Sequence, residues 1–377
     1  MQSTNQLSEG CAGPDSERSD PIVLHCIPTL SGGGAERQLR QLVPLLIQRG
    51  IRVAVFSRFA PGDEEAMAAA GAICLPISAH GNHNPRFALE LLMAVRNLRP
   101  QIVQSWLPQM DILCGLVGRF TGAKWVLSER ASPRAYPRTP KHLARRFLGA
   151  RADLVIANSP SGLHVWGDQP KTVVPNGIDL DGFARIAADE HAGAPALAGR
   201  TVIISIARLT GQKRVDVLID AMKEVAEAVP NALLLLLGEG PDRKRLMAQV
   251  CRQGLGGHVS FAGFQPAAIS WLKSADIFAS ASEYEGHPNS VIEAATAGVP
   301  MVLTEIPEHR DSVGAGACYA AAGDASGFAS AIVRLIGSDE LRRSLAAKAR
   351  QHVSALPVAG VADRYARLYR ELVQGGA

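Results

Sequence analysis

Glu285 and Glu293 stand with seven residues between them in the string EYEGHPNSVIEAATAGVPMV, Glu283 to Val302. Gly286 allows a tight backbone after the first carboxylate, and Pro288 suits the first position of a helix. The amides of that helix's first turn, Asn289, Ser290 and Val291, lack intrahelical acceptors and form an anion site suited to a diphosphate. Glu285, in the loop with Gly286 and His287, can accept bonds from sugar hydroxyls. Glu293, over one turn into the helix, can accept both hydroxyls of a ribose. Gly298 and Pro300 then end the helix and lead into a strand. Two glutamates at this spacing alone recur on many solvated helices. The whole string at a strand-to-helix junction is far more specific.

Cations come from a second string, SIARLTGQKRVDVLIDA, Ser205 to Ala221. Arg208 closes an apolar strand and Lys213 follows in a short loop before the next helix. Both suit a diphosphate and the charge that grows on it as a glycosidic bond breaks. Gly238 and Gly240, in LLLLLGEGPDRKRL, allow close approach of backbone to a ligand, as any strand-to-helix turn can. Gly32, Gly33 and Gly34 precede Ala35–Glu36–Arg37 after the first apolar run. They do not spell G-x-G-x-x-G, so no dinucleotide fingerprint is met. They still suit a turn on a facing wall that covers a phosphate or admits an acceptor. Asp179 and Asp181 form a D-x-D beside the turn signal Pro175–Asn176–Gly177. Two carboxylates without further ligands bind metal weakly, so no metal and no resident cofactor is expected.

These residues need elements to hold them at the ends of strands. Short runs apolar on both faces alternate with helical patterns, which predicts doubly wound α/β architecture with parallel sheets. In the first half the strands are expected at residues 22–27, 52–57, 102–105, 125–128, 154–157 and 172–174. In the second half they are expected at 202–206, 233–237, 259–261, 277–279 and 301–303. The expected units are a loose tail over 1–20, a Rossmann-like domain over 21–185, and a second over 200–355. A helix in 356–377 crosses back to the first. In open parallel sheets, ligands bind beyond the carboxyl ends of the strands. Two such domains face each other across a cleft, and every string quoted above follows a strand.

The balance of the 377 residues is that of a globular chain, 47% apolar and 20% charged. Six cysteines without a C-x-x-C pair give neither a disulfide framework nor a zinc site, and a cytoplasmic setting fits. The first twenty residues lack an apolar core, so no secretory leader is expected there. No apolar run approaches the roughly 20 residues of a membrane span. The net charge of +4 comes from the first half, where Arg130, Arg134, Arg138, Lys141, Arg145, Arg146 and Arg151 occupy 22 positions without an acid. Such a stretch favours an anionic surface at the inner face of the cytoplasmic membrane, or else is a solvated face. It lacks interleaved aromatics, so no nucleic-acid partner is expected.

Taken together, these strings resemble the group 1 glycosyltransferases, the retaining family numbered 4, with the two-domain GT-B architecture. The likeness runs from about Ile22 to Val373. It implies a UDP- or GDP-sugar donor, UDP- in preference to GDP-linked, held mainly by the second domain without a bound metal. By that likeness Glu285, Arg208 and Lys213 are the catalytic group. Glu293 meets the ribose, and Gly263 and Phe264 sit where the base binds. Gly33, Gly34, Gly238, Gly286, His287, Pro288, Asn289, Ser290 and Val291 complete the donor site. Many relatives carry a histidine after the strand at 125–128, where this chain has Ser128–Glu129–Arg130. Glu129 or Arg130 takes its place on the acceptor side or forms a structural ion pair, and the exposed-looking Trp106 either lines the acceptor side or packs in the core. The early GGGAER and the SER here resemble transferases that build surface polysaccharide on lipid carriers. A nucleotide-sugar epimerase and a non-catalytic partner subunit of the same fold stay open as alternatives.

Overall fold

The computed structural model describes residues 20–30, 33–79, 84, 86–118, 120–137, 139–185, 197–265 and 268–375. Gly32, Arg138 and the tail up to residue 19 lie outside them. Two fully parallel sheets carry the fold. The first has seven strands in the order β3-β2-β1-β4-β5-β6-β7. These are β1 Ile22–Thr29, β2 Arg52–Arg58, β3 Ile73–Pro76, β4 Ile102–Trp106, β5 Lys124–Glu129, β6 Leu154–Ala157 and β7 Lys171–Val173. The second has six, β10-β9-β8-β11-β12-β13: β8 Thr201–Ile206, β9 Ala232–Leu237, β10 Val259–Gly263, β11 Ile277–Ser280, β12 Met301–Thr304 and β13 Cys318–Ala320.

β3 and β13 go beyond the sequence expectation. Each is an outer strand of three or four residues. No residue of Ile73 to Pro76 is fully buried, as befits a strand at the edge of its sheet. By contrast β9, Ala232–Leu237, is buried at every position, because helices cover both faces of its sheet. The amphipathic helix Asp339–Val353 also escaped the sequence reading, because its polar face dominates the local composition. Ser338 caps it by accepting from the Leu341 N–H at 3.2 Å.

In the first half, helices α1 Gly34–Gln48, α2 Asp63–Ala69, α3 Arg86–Leu98, α4 Pro108–Gly118 and α5 Pro140–Gly149 flank the sheet. Phe87, Leu91, Met110, Cys114 and Leu148 of α3, α4 and α5 share one core with Leu24, Phe56, Trp125 and Val155. The opposite face takes α1 and the last helix, Val358–Gln374. That helix buries Ala362, Tyr365, Ala366, Tyr369 and Leu372 among Val23, Leu39, Val55 and Trp106. The spacing of these positions is that of one helical stripe. So the chain's end packs onto its first sheet. It gets there beside the outgoing crossing: the Ile178 N–H donates to Leu356 O at 3.1 Å, and the Val358 N–H to Ile178 O at 2.9 Å. A side chain at Gly177 would stand 2.6 Å from Val358 Cα, so this crossing needs glycine.

Candidate functional site

The strand order reverses between β8 and β11 in one sheet and between β1 and β4 in the other. These reversals are where a doubly wound sheet opens a crevice. The loops that leave β8 and β11 interlock there. The Glu283 N–H donates to Gln212 O at 3.0 Å, and Gln212 Nε2 donates to Tyr284 O at 2.8 Å. Lys213, closing a 3-10 turn at Gly211–Lys213, places Nζ 2.5 Å from Glu285 Oε1. Burial alone would raise the Glu285 carboxyl. The Lys213 charge and bond, His309 and Ser282 outweigh it and hold the carboxyl below its usual value. Glu285 is therefore a buried, ionised acceptor with a cation attached.

Arg208 emerges exposed just beyond β8. Its neighbour Ala207 packs so closely on Gly238 that a Cβ there would stand 2.0 Å from Ala207 O. Gly238 also holds φ +139, a conformation that favours glycine. Gly263 ends β10 and the exposed Phe264 follows it at the same edge. The structure thus gathers Arg208, Lys213, Gly238, Gly263, Phe264 and Glu285 along the carboxyl ends of β8 to β11.

The helix Asn289–Ala297 begins after Pro288. One expectation changes here. The Val291 N–H is already bonded to Pro288 O at 3.1 Å and its side chain is fully buried. The tight first turn takes that amide, leaving those of Asn289 and Ser290 as the ones without an intrahelical acceptor. Glu293, buried, pairs with Arg37 of α1 from the facing half. Arg37, Gln38, Gly177, Asp179, Asn289 and Glu293 line a cavity of about 180 Å³ between the halves. Gly34 lies against Asn289, whose Nδ2 donates to Gly34 O at 3.4 Å. A Cβ on Gly33 would collide with the Glu36 carboxylate, which folds back over the first turn of α1.

For two acceptor-side candidates the structure favours the structural alternative. Trp106 is fully buried rather than exposed. Its indole N–H donates to His25 Nδ1 at 3.1 Å, and the last helix covers it. Glu129 is also fully buried and turned inward. It accepts from Tyr136 Oη at 2.7 Å and from Arg145 at 2.9 Å. Arg145 in turn bonds Asp111 at 2.6 Å. The basic stretch is therefore not one charged face. Arg145 is internal and Arg130 is half-buried, while Lys141, Arg146 and Arg151 are exposed.

Sequence reading missed Asn176, which it took only as a turn residue. Its Nδ2 donates to His287 O at 3.2 Å and to Asn289 Oδ1 at 2.7 Å. It missed His309, whose Nδ1 lies 2.8 Å from Thr304 O and whose buried Nε2 has no partner in the structure. A histidine two residues beyond a proline carries no local signal of this. Asp179, half of the D-x-D, accepts the Gly182 N–H at 2.8 Å. The side chain of Asp181 lies outside the described residues. Among the described residues no three His, Cys, Asp or Glu side chains form a metal-ligand group.

Two histidines near this site are held neutral. Burial first, then the charge of Arg130, lowers His25 to about 3 and His287 to about 4. In the unfolded chain a histidine protonates near 6.5. Between those values the unfolded state binds the extra protons, so this contribution to stability is complete above about pH 6.5 and lost as pH falls. Asp111, raised to about 6 by burial, acts oppositely between 3.8 and 6, as do Glu36 and Asp311, also raised by burial, while buried His309, lowered, adds to the histidine effect. The melting temperature is expected to drop steadily from pH 7 to pH 4, and His25→Asn to flatten that slope. Parallel slopes for the two proteins in a calorimetric pH series would refute the assignment.

Comparison with known proteins places this geometry. The model of "Glycosyl transferases group 1" matches residues 188–352, and that of "Glycosyltransferase Family 4" matches residues 32–181. The lipopolysaccharide core biosynthesis glycosyltransferase LpsE of Rhizobium meliloti (strain 1021) is 27% identical over 346 residues, 89% of this chain and 95% of the relative. The lipopolysaccharide core biosynthesis mannosyltransferase LpsB of the same organism is 27% identical over 45% of this chain and 50% of its own. Among solved structures, Anabaena HepE in complex with UDP-glucose superposes with a TM-score of 0.81 at 19% identity, covering 93% of this chain and all of that one.

Proposed function

Because the chain belongs to the group 1 glycosyltransferases, its first half matching family 4, we propose that it moves a hexose from a UDP-sugar, in preference to a GDP-sugar, onto a lipid-linked saccharide, with retention of anomeric configuration. The observation that carries this reading is the Lys213–Glu285 pair beside the exposed Arg208. Transfer breaks the bond between the anomeric carbon and the diphosphate and forms one to an acceptor hydroxyl, whose proton leaves with the diphosphate. Arg208 and Lys213 take up the charge growing on the diphosphate. Glu285 accepts from the sugar hydroxyls, Glu293 from the ribose once it leaves Arg37, and the amides of Asn289 and Ser290 face the phosphates.

LpsE and LpsB are named for lipopolysaccharide core biosynthesis, and HepE was crystallised with UDP and with UDP-glucose. These support a saccharide acceptor and a uridine donor. The test is a thermal-shift series with UDP, GDP and their hexoses, followed by the anomeric configuration of the product. At 100 times its dissociation constant a ligand stabilises by about 2.7 kcal/mol. A larger shift with GDP than with UDP would overturn the base assignment. No metal takes part in this proposal. Turnover is expected to survive EDTA, and its loss would bring Asp179 and Asp181 back as ligands.

A peripheral membrane seat on the first half belongs to the same reading. α3, α4 and α5 lie side by side, and with the turn after α4 they leave Leu89, Met93, Leu116, Phe120, Leu143 and Phe147 exposed. Exposed Arg86, Arg96, Lys141 and Arg146 accompany them. Of the two acids on these helices, Glu90 is engaged by the Ser78 N–H at 3.1 Å and Asp111 is buried. Among the described residues no helix is long and apolar enough to cross a membrane, so contact is with the surface. Each basic residue adds about 1 kcal/mol at an anionic bilayer. The variant Lys141→Glu/Arg146→Glu/Phe147→Glu is expected to lose sedimentation with anionic liposomes and keep its UDP shift. Equal pelleting with neutral liposomes would remove the membrane role.

A further inference from the structure

Arg130 sits where several separate pieces of chain meet. Its guanidinium carbon lies 4.1 Å from the centre of the Trp106 ring. Nη2 donates to Tyr365 Oη of the last helix at 2.6 Å, and Nη1 to Asn176 Oδ1 at 3.1 Å. Its own carbonyl accepts from Asn158 Nδ2 at 3.4 Å and lies so close to Gly286 that a Cβ there would stand 2.2 Å away. Asn176 passes the contact on: its Nδ2 reaches His287 O and Asn289 Oδ1.

A side-chain amide has two orientations, and its neighbours decide between them. Arginine can only donate, so it fixes Asn176 with Oδ1 toward Arg130 and Nδ2 toward the loop. His287 O and Asn289 Oδ1 can only accept, so they require the same orientation. We infer that Arg130 is a positioning residue which, through Asn176, holds the loop Gly286–Asn289 from the opposite wall of the cleft. The inference rests on the donor-site reading only in calling that loop functional. Arg130 is fixed in turn by Trp106 and Tyr365, so the fully buried Trp106 serves the site without touching it. The last helix does the same: packing it on the first sheet supplies Tyr365 to Arg130. Methionine at 130 keeps much of the stacking volume but donates nothing. Lysine donates from one nitrogen and cannot span both Asn176 and Tyr365. Aspartate at 176 still accepts from Arg130 but loses both donations to the loop.

The test is hydrogen exchange of the full chain without ligand, followed over peptides spanning 283–292. Each relay bond is worth roughly 1 kcal/mol or a little more, so Arg130→Met and Asn176→Asp should each speed exchange there by about tenfold. The double variant should be no faster than the faster single one, because both break one relay. Arg130→Lys should fall between. Arg146→Met, on the outer face, should change nothing in this loop. Loop exchange at the wild-type rate in either single variant overturns the inference, as do two effects that multiply in the double. Faster exchange confined to 358–374 in Arg130→Met, with Asn176→Asp silent, would make Arg130 an anchor of the last helix only and also overturn it. UDP added as a probe separates the two proposals: absence of a UDP shift in the wild type defeats the donor assignment while the ligand-free exchange result stands.

Discussion

Lys213→Ala is expected to lower turnover by on the order of 10²–10³ while leaving both sheets folded, the usual cost of removing one preorganised charge-stabilising donor. Two effects combine. The diphosphate loses a cation as charge develops on it, and Glu285 loses the group that keeps it ionised. Without Lys213, burial is the dominant influence on Glu285, and its carboxyl moves up. Residual activity should then show an acid limb displaced to higher pH than in the wild type. Glu285→Gln should lose turnover too, and in the double variant the losses should not multiply, because the pair acts together. Initial rates across pH, with circular dichroism to verify folding, measure all of this. Wild-type turnover in Lys213→Ala would show that the pair is structural.

The largest stability effect is expected one residue from a neutral position. Arg145→Ala should destabilise the protein by about 3–5 kcal/mol, because it leaves Asp111 and Glu129 buried without their cation. Arg146→Ala, on the exposed side of the same turn, should stay within about 0.5 kcal/mol. Asp111 is already raised to about 6 by burial, against the pull of Arg145. Without that pull its folded value rises further while its unfolded value does not. The cost of Arg145→Ala should therefore be smallest in acid, where Asp111 is protonated in the folded wild type and the folded variant alike, and grow as pH rises through 6. Denaturant melts of the two variants at pH 5 and pH 7.5 measure it. If Arg145→Ala matched Arg146→Ala, the buried triad would contribute nothing net.

Local chemistry made much of the molecule legible from its sequence. Runs apolar on both faces can sit only in a covered parallel sheet. Helices ended by Gly298 and opened after Pro288 are dictated within a few residues. Each of the strings carrying Arg208, Lys213, Glu285 and Glu293 follows a strand, so the sheet rule alone sends them to a crevice. The family resemblance rests on those same strings, and two family models match the chain.

What local chemistry could not decide is which way a polar residue turns once distant pieces of chain arrive. Glu129 and Arg130 are adjacent, yet one points into a buried triad with Arg145 and the other across to Asn176 and Tyr365. Arg145 and Arg146 are adjacent, yet one is buried and one exposed. Trp106 ends a strand as an exposed residue would, until a helix 250 residues later in the chain covers it. The partners involved are separated by 46 and 235 positions, so no window of sequence contains them. The sequence alone determined the fold class and the residue types at the candidate site. Tertiary packing decided which cations stay exposed for a ligand, because a charge is buried only where another part of the chain brings its counter-charge.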